Sequence, residues 1–248
     1  MRARGLIAGA LAACVLTLSG CFGQGGGNLN PNPVRSYDYS QMKLVQLEEP
    51  YEGQPLAVFD TTEGSFSAVL YPEYAPNTVQ NFIDRANDGF YNGQDVYGVF
   101  DGLFMSGAAD EKKNSGLTPD GQPIPNEYSV DLWTFRGAIC SYNGNSGYGD
   151  SRFVVIWGDK LTDEQKTELK GITNDSGAQL LPDELIGAYS EKGGIAGLAG
   201  TFTVFAQVID GLDAVERIAS APSDGDLYKP VEEILINSVT ISEYHSEQ

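Results

Sequence analysis

Nucleophilic, acid–base and metal chemistry near neutral pH draws mostly on cysteine and histidine, and this 248-residue chain holds only Cys14, Cys21, Cys140 and His245. His245 lies in a short polar run, 244–248, at the end of the chain. A single histidine excludes a histidine-dependent catalytic triad and a two-histidine metal site, which removes most hydrolases. Cys140 stands in Gly137-Ala138-Ile139-Cys140-Ser141, a small apolar strand pattern, so a buried and inert thiol is expected there. With Cys14 and Cys21 confined to the N-terminal run, Cys140 has no partner for a disulfide in the body of the chain, nor for a cysteine zinc site. The 34 Asp and Glu against 15 Lys and Arg give a formal charge of −19. No calcium-loop spacing organises those acids, so they read as a solubility-favouring exterior. Such a surface is a poor partner for nucleic acid or anionic headgroups. No metal and no cofactor is expected.

The N-terminal cysteines have a different meaning. Arg2 and Arg4 open the chain, residues 5–18 are apolar, and Leu18-Ser19-Gly20 presents the small residues a signal peptidase needs. The apolar run is shorter than the roughly 20 residues a permanent span requires, so 1–20 reads as a signal peptide. Leu18-Ser19-Gly20-Cys21 resembles the lipobox of bacterial lipoproteins. That resemblance implies cleavage before Cys21 and a lipid on its sulfur; the alternative is an ordinary secretory signal with an incidental Cys21. Losing two arginines and no acids would move the charge from −19 to −21. Residues 22–39, rich in Gly, Asn, Pro, Ser and Gln, read as the start of a tether that runs to about Gly53.

The remaining chain, 54–243, suits one domain. Alternating apolar residues mark strands at 56–61 and 66–70, with a turn at Glu63-Gly64. Pro76 then opens a helical spacing through Val79, Phe82, Ile83 and Ala86, stopped by Gly89. Short apolar segments follow at 96–100 and 103–107, then a loop at 108–126. Strands are expected at 138–141 and 153–157. A polar helix at 161–170, capped by Thr162, and a second at 182–189 belong to an insertion of about 160–194. A strand at 202–209, a helix at 212–219 and a last strand at 234–242 complete the order. Many short strands with two flanking helices predict a mainly β fold, a closed or nearly closed antiparallel β-barrel with an inserted helical segment.

Three ordered motifs give this pattern a family resemblance. Pro72-Glu73-Tyr74-Ala75-Pro76-Asn77-Thr78-Val79-Gln80-Asn81-Phe82, then Gly89-Phe90-Tyr91-Asn92-Gly93, then the run from Phe202 through Val204, Phe205, Gln207 and Gly211 to Asp213 resemble the cyclophilins, barrel-forming peptidyl-prolyl isomerases. The resemblance covers about 56–242. It implies an apolar groove that grips a proline ring, and an arginine that donates a hydrogen bond to the twisted X-Pro amide while a glutamine positions it. The barrier being lowered is about 18–20 kcal/mol, set by amide resonance, and removing one preorganised donor of this kind costs roughly 10²–10³ in rate.

The chain departs from the family at that donor. In Tyr97-Gly98-Val99, Gly98 stands at the arginine position. In Leu103-Phe104-Met105-Ser106-Gly107-Ala108, Ser106 stands at the positioning glutamine. A second family glutamine is Arg152 in Ser151-Arg152-Phe153-Val154, whose guanidinium either supplies the missing donor or pairs with one of the many acids. Leu103, Phe104, Val154, Leu198 and Phe202 fall at the proline-ring contacts and are all apolar; they are either a surviving groove or simply barrel core. Asn143 keeps the position whose backbone meets the peptide. Three functions remain open: an isomerase, a peptide-binding module without turnover, and an accessory lipoprotein using the insertion as its contact surface. The expected partners are proline-containing or extended polypeptides, the expected site of action the outer face of a cell membrane, and the expected state a monomer.

Overall fold

A computed structural model of the chain describes residues 37–100, 102–144, 147–174, 177–224 and 228–246. The expected signal peptide, Cys21 and the first part of the tether lie outside the described residues. Among the described residues, no helix is long and apolar enough to cross a membrane.

The domain opens with a hairpin of β1 (Pro55–Thr61) and β2 (Gly64–Leu70), in which every second side chain turns inward, Ala57 and Phe59 facing Ala68 and Phe66. Phe59 and Phe66 stack with ring centroids 4.5 Å apart. Helix α1 (Pro76–Asn87) starts on the proline that needs no amide donor and lays Val79, Phe82 and Ala86 on the same core. Then come β3 (Gln94–Asp95), β4 (Gly98–Phe100), β5 (Leu103–Ser106), β6 (Ile124–Pro125), β7 (Ala138–Ser141), β8 (Tyr148–Gly149) and β9 (Phe153–Ile156). After the insertion helices α2 (Asp163–Gly171) and α3 (Asp183–Lys192), the chain returns as β10 (Thr203–Asp210), α4 (Leu212–Ala219) and β11 (Leu235–Glu243).

Nine of these strands form one curled antiparallel sheet in the order β3-β11-β1-β2-β10-β7-β9-β5-β4, while β6 and β8 pair separately. The two edge strands are separated in sequence only by Val96 and Tyr97. The Val96 amide donates to Ile234 O on one side of the gap, and the Tyr97 amide to Met105 O on the other. One run of chain therefore spans the edges, joining the curled sheet without a continuous ladder. Helix α4 buries Ala214, Val215 and Ile218 against the interior. Its entry requires glycine: Gly211 has φ +75°, and a Cβ there would strike Ser65 O.

The insertion packs Leu181, Leu185, Ile186 and Tyr189 on Trp133 and Phe135, forming a separate core. Thr162 caps α2 in a reciprocal box with Gln165. The segment expected to be free tether as far as Gly53 is instead laid on this core from Tyr37 onward. Tyr37 and Tyr39 pack on Trp133 at 5.4 and 6.1 Å, with Met42 and Leu44 beside them. Gln46 is buried: its amide nitrogen donates to Trp133 O (2.9 Å) and Gln207 Oε1 (2.8 Å), and its oxygen accepts from Trp133 N (2.6 Å). Burying apolar and aromatic area against Trp133 offsets the entropy of ordering the segment. The polar tail is held too, by the Tyr244 amide on Gln54 O and by His245 Nδ1 at 2.6 Å from Glu52.

Candidate functional site

Strand alternation gives the sheet a second apolar surface, on the outside of β2, β10, β7, β9 and β5. Leu103 and Met105 of β5, Val154 and Ile156 of β9, and Ala138 and Cys140 of β7 lie on it, joined by Val204, Leu132 and Leu198. Gly98, Met105, Val154, Cys140 and Val204 pair in register across five strands, forming one rung of this floor. Gly98 is thus the end of an apolar row. Its backbone is not in the left-handed region, and a Cβ would sit 3.7–3.8 Å from Met105, an ordinary contact.

Four of the five apolar residues expected at the groove come together here. Leu103, Val154 and Leu198 are 4, 1 and 8% exposed, and Phe202 is half-buried against them with Tyr97, Phe100 and Tyr142. The fifth does not join them. Phe104 lies on the opposite face of β5, inside the barrel, its ring 6.5 Å from Phe66. The reason is the two-residue period of a strand: Leu103 and Met105 share a face and Phe104 cannot. Met105 takes its place on the floor. Asn143 is buried beside the floor, where its side-chain amide donates to Thr201 O at 2.9 Å. That bond ties the end of β7 to the turn carrying Leu198 and Phe202.

The polar positions are occupied differently from expectation. Ser106 is fully buried and its hydroxyl donates to Asp95 O at 2.8 Å, so it points away from the floor and positions nothing on it. Arg152 adopts the acid-paired alternative. Its Nε lies 3.0 and 3.1 Å from the two Asp150 carboxylate oxygens, its Nη2 2.6 Å from Oδ2, and the plane rests over Tyr142 at 4.9 Å. Nη1 donates to Lys113 O. A shallow cleft of about 340 Å³ opens beside this pair, lined by Ser115, Thr118, Tyr148 and Gly149 among others. Cys140 is buried in the floor, and burial pushes its thiol well above the usual range, so it is not a nucleophile.

One residue on this surface escaped the sequence reading. Tyr97 packs its ring against the floor, and its hydroxyl is buried with no hydrogen-bond partner. Burial pushes its pKa far above that of a free phenol, with Arg152 nearby acting in the opposite direction. Lys113 stands over the ring at 5.8 Å and pairs with Asp95 at 2.6 Å.

Comparison with known proteins supplies context for this surface. The family model described as cyclophilin type peptidyl-prolyl cis-trans isomerase/CLD matches residues 56–241, from β1 into β11. A protein of Staphylococcus saprophyticus, described as a candidate peptidyl-prolyl cis-trans isomerase, is 29% identical over 200 residues, covering 80% of this chain and 98% of its own. One from Staphylococcus aureus with the same description is 28% identical over 197 residues, 79% of this chain and 96% of that one. Among solved structures, a cyclophilin type isomerase of Cryptosporidium parvum superposes with a TM-score of 0.56 at 19% identity, over 79% of this chain and 99% of that chain. A second crystal structure of that protein, in the presence of the dipeptide Ala-Pro, gives 0.55 over 77% and 99%. At such identity, the two structures speak for the fold.

Proposed function

Because the chain belongs to the cyclophilin-type peptidyl-prolyl cis-trans isomerase family, we propose that it is a lipid-anchored, extracytoplasmic member that grips proline-containing segments of exported polypeptides and isomerises them slowly. The observation that carries this is the rung from Gly98 to Val204, which keeps the apolar floor while the donor position at its end is a bare glycine. The floor and its aromatic rim suit a proline ring, whose burial is driven by apolar area. Rotation about the X-Pro bond needs only that the ring be held and the amide lose resonance; no bond is made or broken. Without an arginine, most of the electrostatic stabilisation of the twisted amide is missing, which fits slow turnover. The Cryptosporidium relative studied with Ala-Pro supports a short proline-containing ligand. The anchor rests on the lipobox at Cys21 and, with a signal peptide, puts the domain outside the cytoplasm.

The test is cis–trans exchange of an Ala-Pro peptide followed by NMR alongside a binding titration. Exchange above the uncatalysed rate together with saturable binding is expected. Neither binding nor exchange would refute the reading. Gly98 favours one second reading, a peptide-binding module without turnover, whose signature is binding with exchange at the uncatalysed rate. For the anchor, Cys21→Ser is expected to move the protein from the detergent phase to the aqueous phase on partition.

A further inference from the structure

We propose that the Tyr97 hydroxyl is the hydrogen-bond donor to the twisted prolyl amide in this chain, standing in for the arginine that Gly98 lacks. This rests on the isomerase reading above.

Buried polar atoms are almost always satisfied, and an orphan costs about 1–3 kcal/mol, so each asks for a reason. The described residues hold five such atoms. Asn81, Arg85 and Asn126 each have a second polar atom that is bonded. Ser141 Oγ lies under the Gly149 backbone, against the place a Cβ would occupy. Tyr97 has one polar atom, it is idle, and it belongs to the residue directly before Gly98. Its ring packs against the cluster that holds Leu103, Met105, Val154 and Leu198, with Arg152 and Tyr142 near enough to act on its hydroxyl.

The chemistry fits the task. A phenol kept neutral by burial donates a hydrogen bond at any physiological pH. The hydroxyl is covered in this structure, so a bound peptide must part the side chains over it before the amide can accept; once engaged, the donor works in a water-poor site, where such a bond counts most. An amide nitrogen that has lost resonance becomes an acceptor, so the bond strengthens as the amide twists and vanishes when it flattens. The proton stays on the phenol throughout.

The experiment measures Ala-Pro exchange, peptide affinity and thermal midpoint for the full chain as wild type, Tyr97→Phe, Gly98→Arg and the double variant. Tyr97→Phe is expected to lower the exchange rate at least tenfold, leave affinity within twofold, and hold or raise the midpoint, since phenylalanine fills the space and removes the orphan. With Gly98→Arg present, the same change should cost much less, because a second donor serves the amide. Wild-type exchange in Tyr97→Phe overturns the proposal, as does a rate loss matched by lost affinity. Wild type that binds peptide but exchanges it at the uncatalysed rate overturns it too, while leaving a peptide-binding function intact. Loss of binding in every form would instead sink the broader reading.

Discussion

The two faces of the same sheet differ in what they tolerate. Inside the barrel, Phe59, Phe66, Phe82, Phe153 and Phe205 interlock with centroids 4.5–6.2 Å apart. That face needs only apolar residues of suitable volume at alternating positions, and it holds the fold. Outside, the floor is equally apolar, yet its expected chemistry depends on single polar atoms at fixed points. Those atoms differ: Gly98 offers none, Ser106 serves Asp95 O, and Arg152 serves Asp150. A fold is a distributed property and survives such changes, whereas a hydrogen-bond donor is a local one.

Breaking the inner face should have the largest effect. Phe59→Ala is expected to cost about 3–5 kcal/mol of stability through the cavity it leaves, read by chemical denaturation. Val154→Ala, on the outer face, should cost less and weaken peptide binding; an equal stability loss with unchanged binding would erase the distinction. Next comes the segment 37–53, a strap laid across the insertion core: Gln46→Ala strands Trp133 N and Gln207 Oε1 and should cost about 1–3 kcal/mol, with faster hydrogen exchange confined to that segment. The outer face alone is addressed by Gly98→Arg, which should raise peptide exchange about tenfold or more, near 1.4 kcal/mol in barrier, without moving the thermal midpoint.

The smallest effect concerns the tail clasp. Donating a hydrogen bond to Glu52 raises His245 above the usual 6.5, and the same contact holds Glu52 below its usual 4.5. The histidine contribution is complete below 6.5 and fades as pH rises through its raised value. The carboxylate contribution is complete above 4.5 and fades as pH falls through its lowered value. The clasp is therefore strongest between those two pH values. An NMR titration should place His245 above 6.5, and Glu52→Gln should bring it back; an unmoved midpoint would remove the clasp from the account.

The sequence pattern reached far into this structure where it depended on periodicity. Strand β7 and helix α4 fall on the expected 138–141 and 212–219, and Thr162 caps the helix it was expected to cap. Position by position along a motif, it was weaker. The family resemblance sets Phe104 beside Leu103 at the proline-ring contacts, although strand parity sends it to the other face. The strap was missed because Tyr37, Tyr39, Met42 and Leu44 follow no period; their partners, Trp133 and the insertion, lie about a hundred residues away. Tyr97 was invisible for a related reason. Whether a hydroxyl is satisfied is a tertiary fact that no local spacing encodes.

The strap also sets how far the domain stands from its proposed anchor. Were the chain free to Gly53, 32 Cα-to-Cα steps would separate that residue from Cys21; attachment at Tyr37 leaves 16. At about 3.6 Å per residue, the greatest altitude falls from roughly 115 Å to roughly 58 Å. The described segment also begins at a particular spot. A Cβ on Gly200 would stand 3.4 Å from Tyr37 Oη, so the strap begins against the turn that carries Leu198 and Phe202. A pull from the proposed anchor would therefore reach the rim of the floor before it reached the barrel.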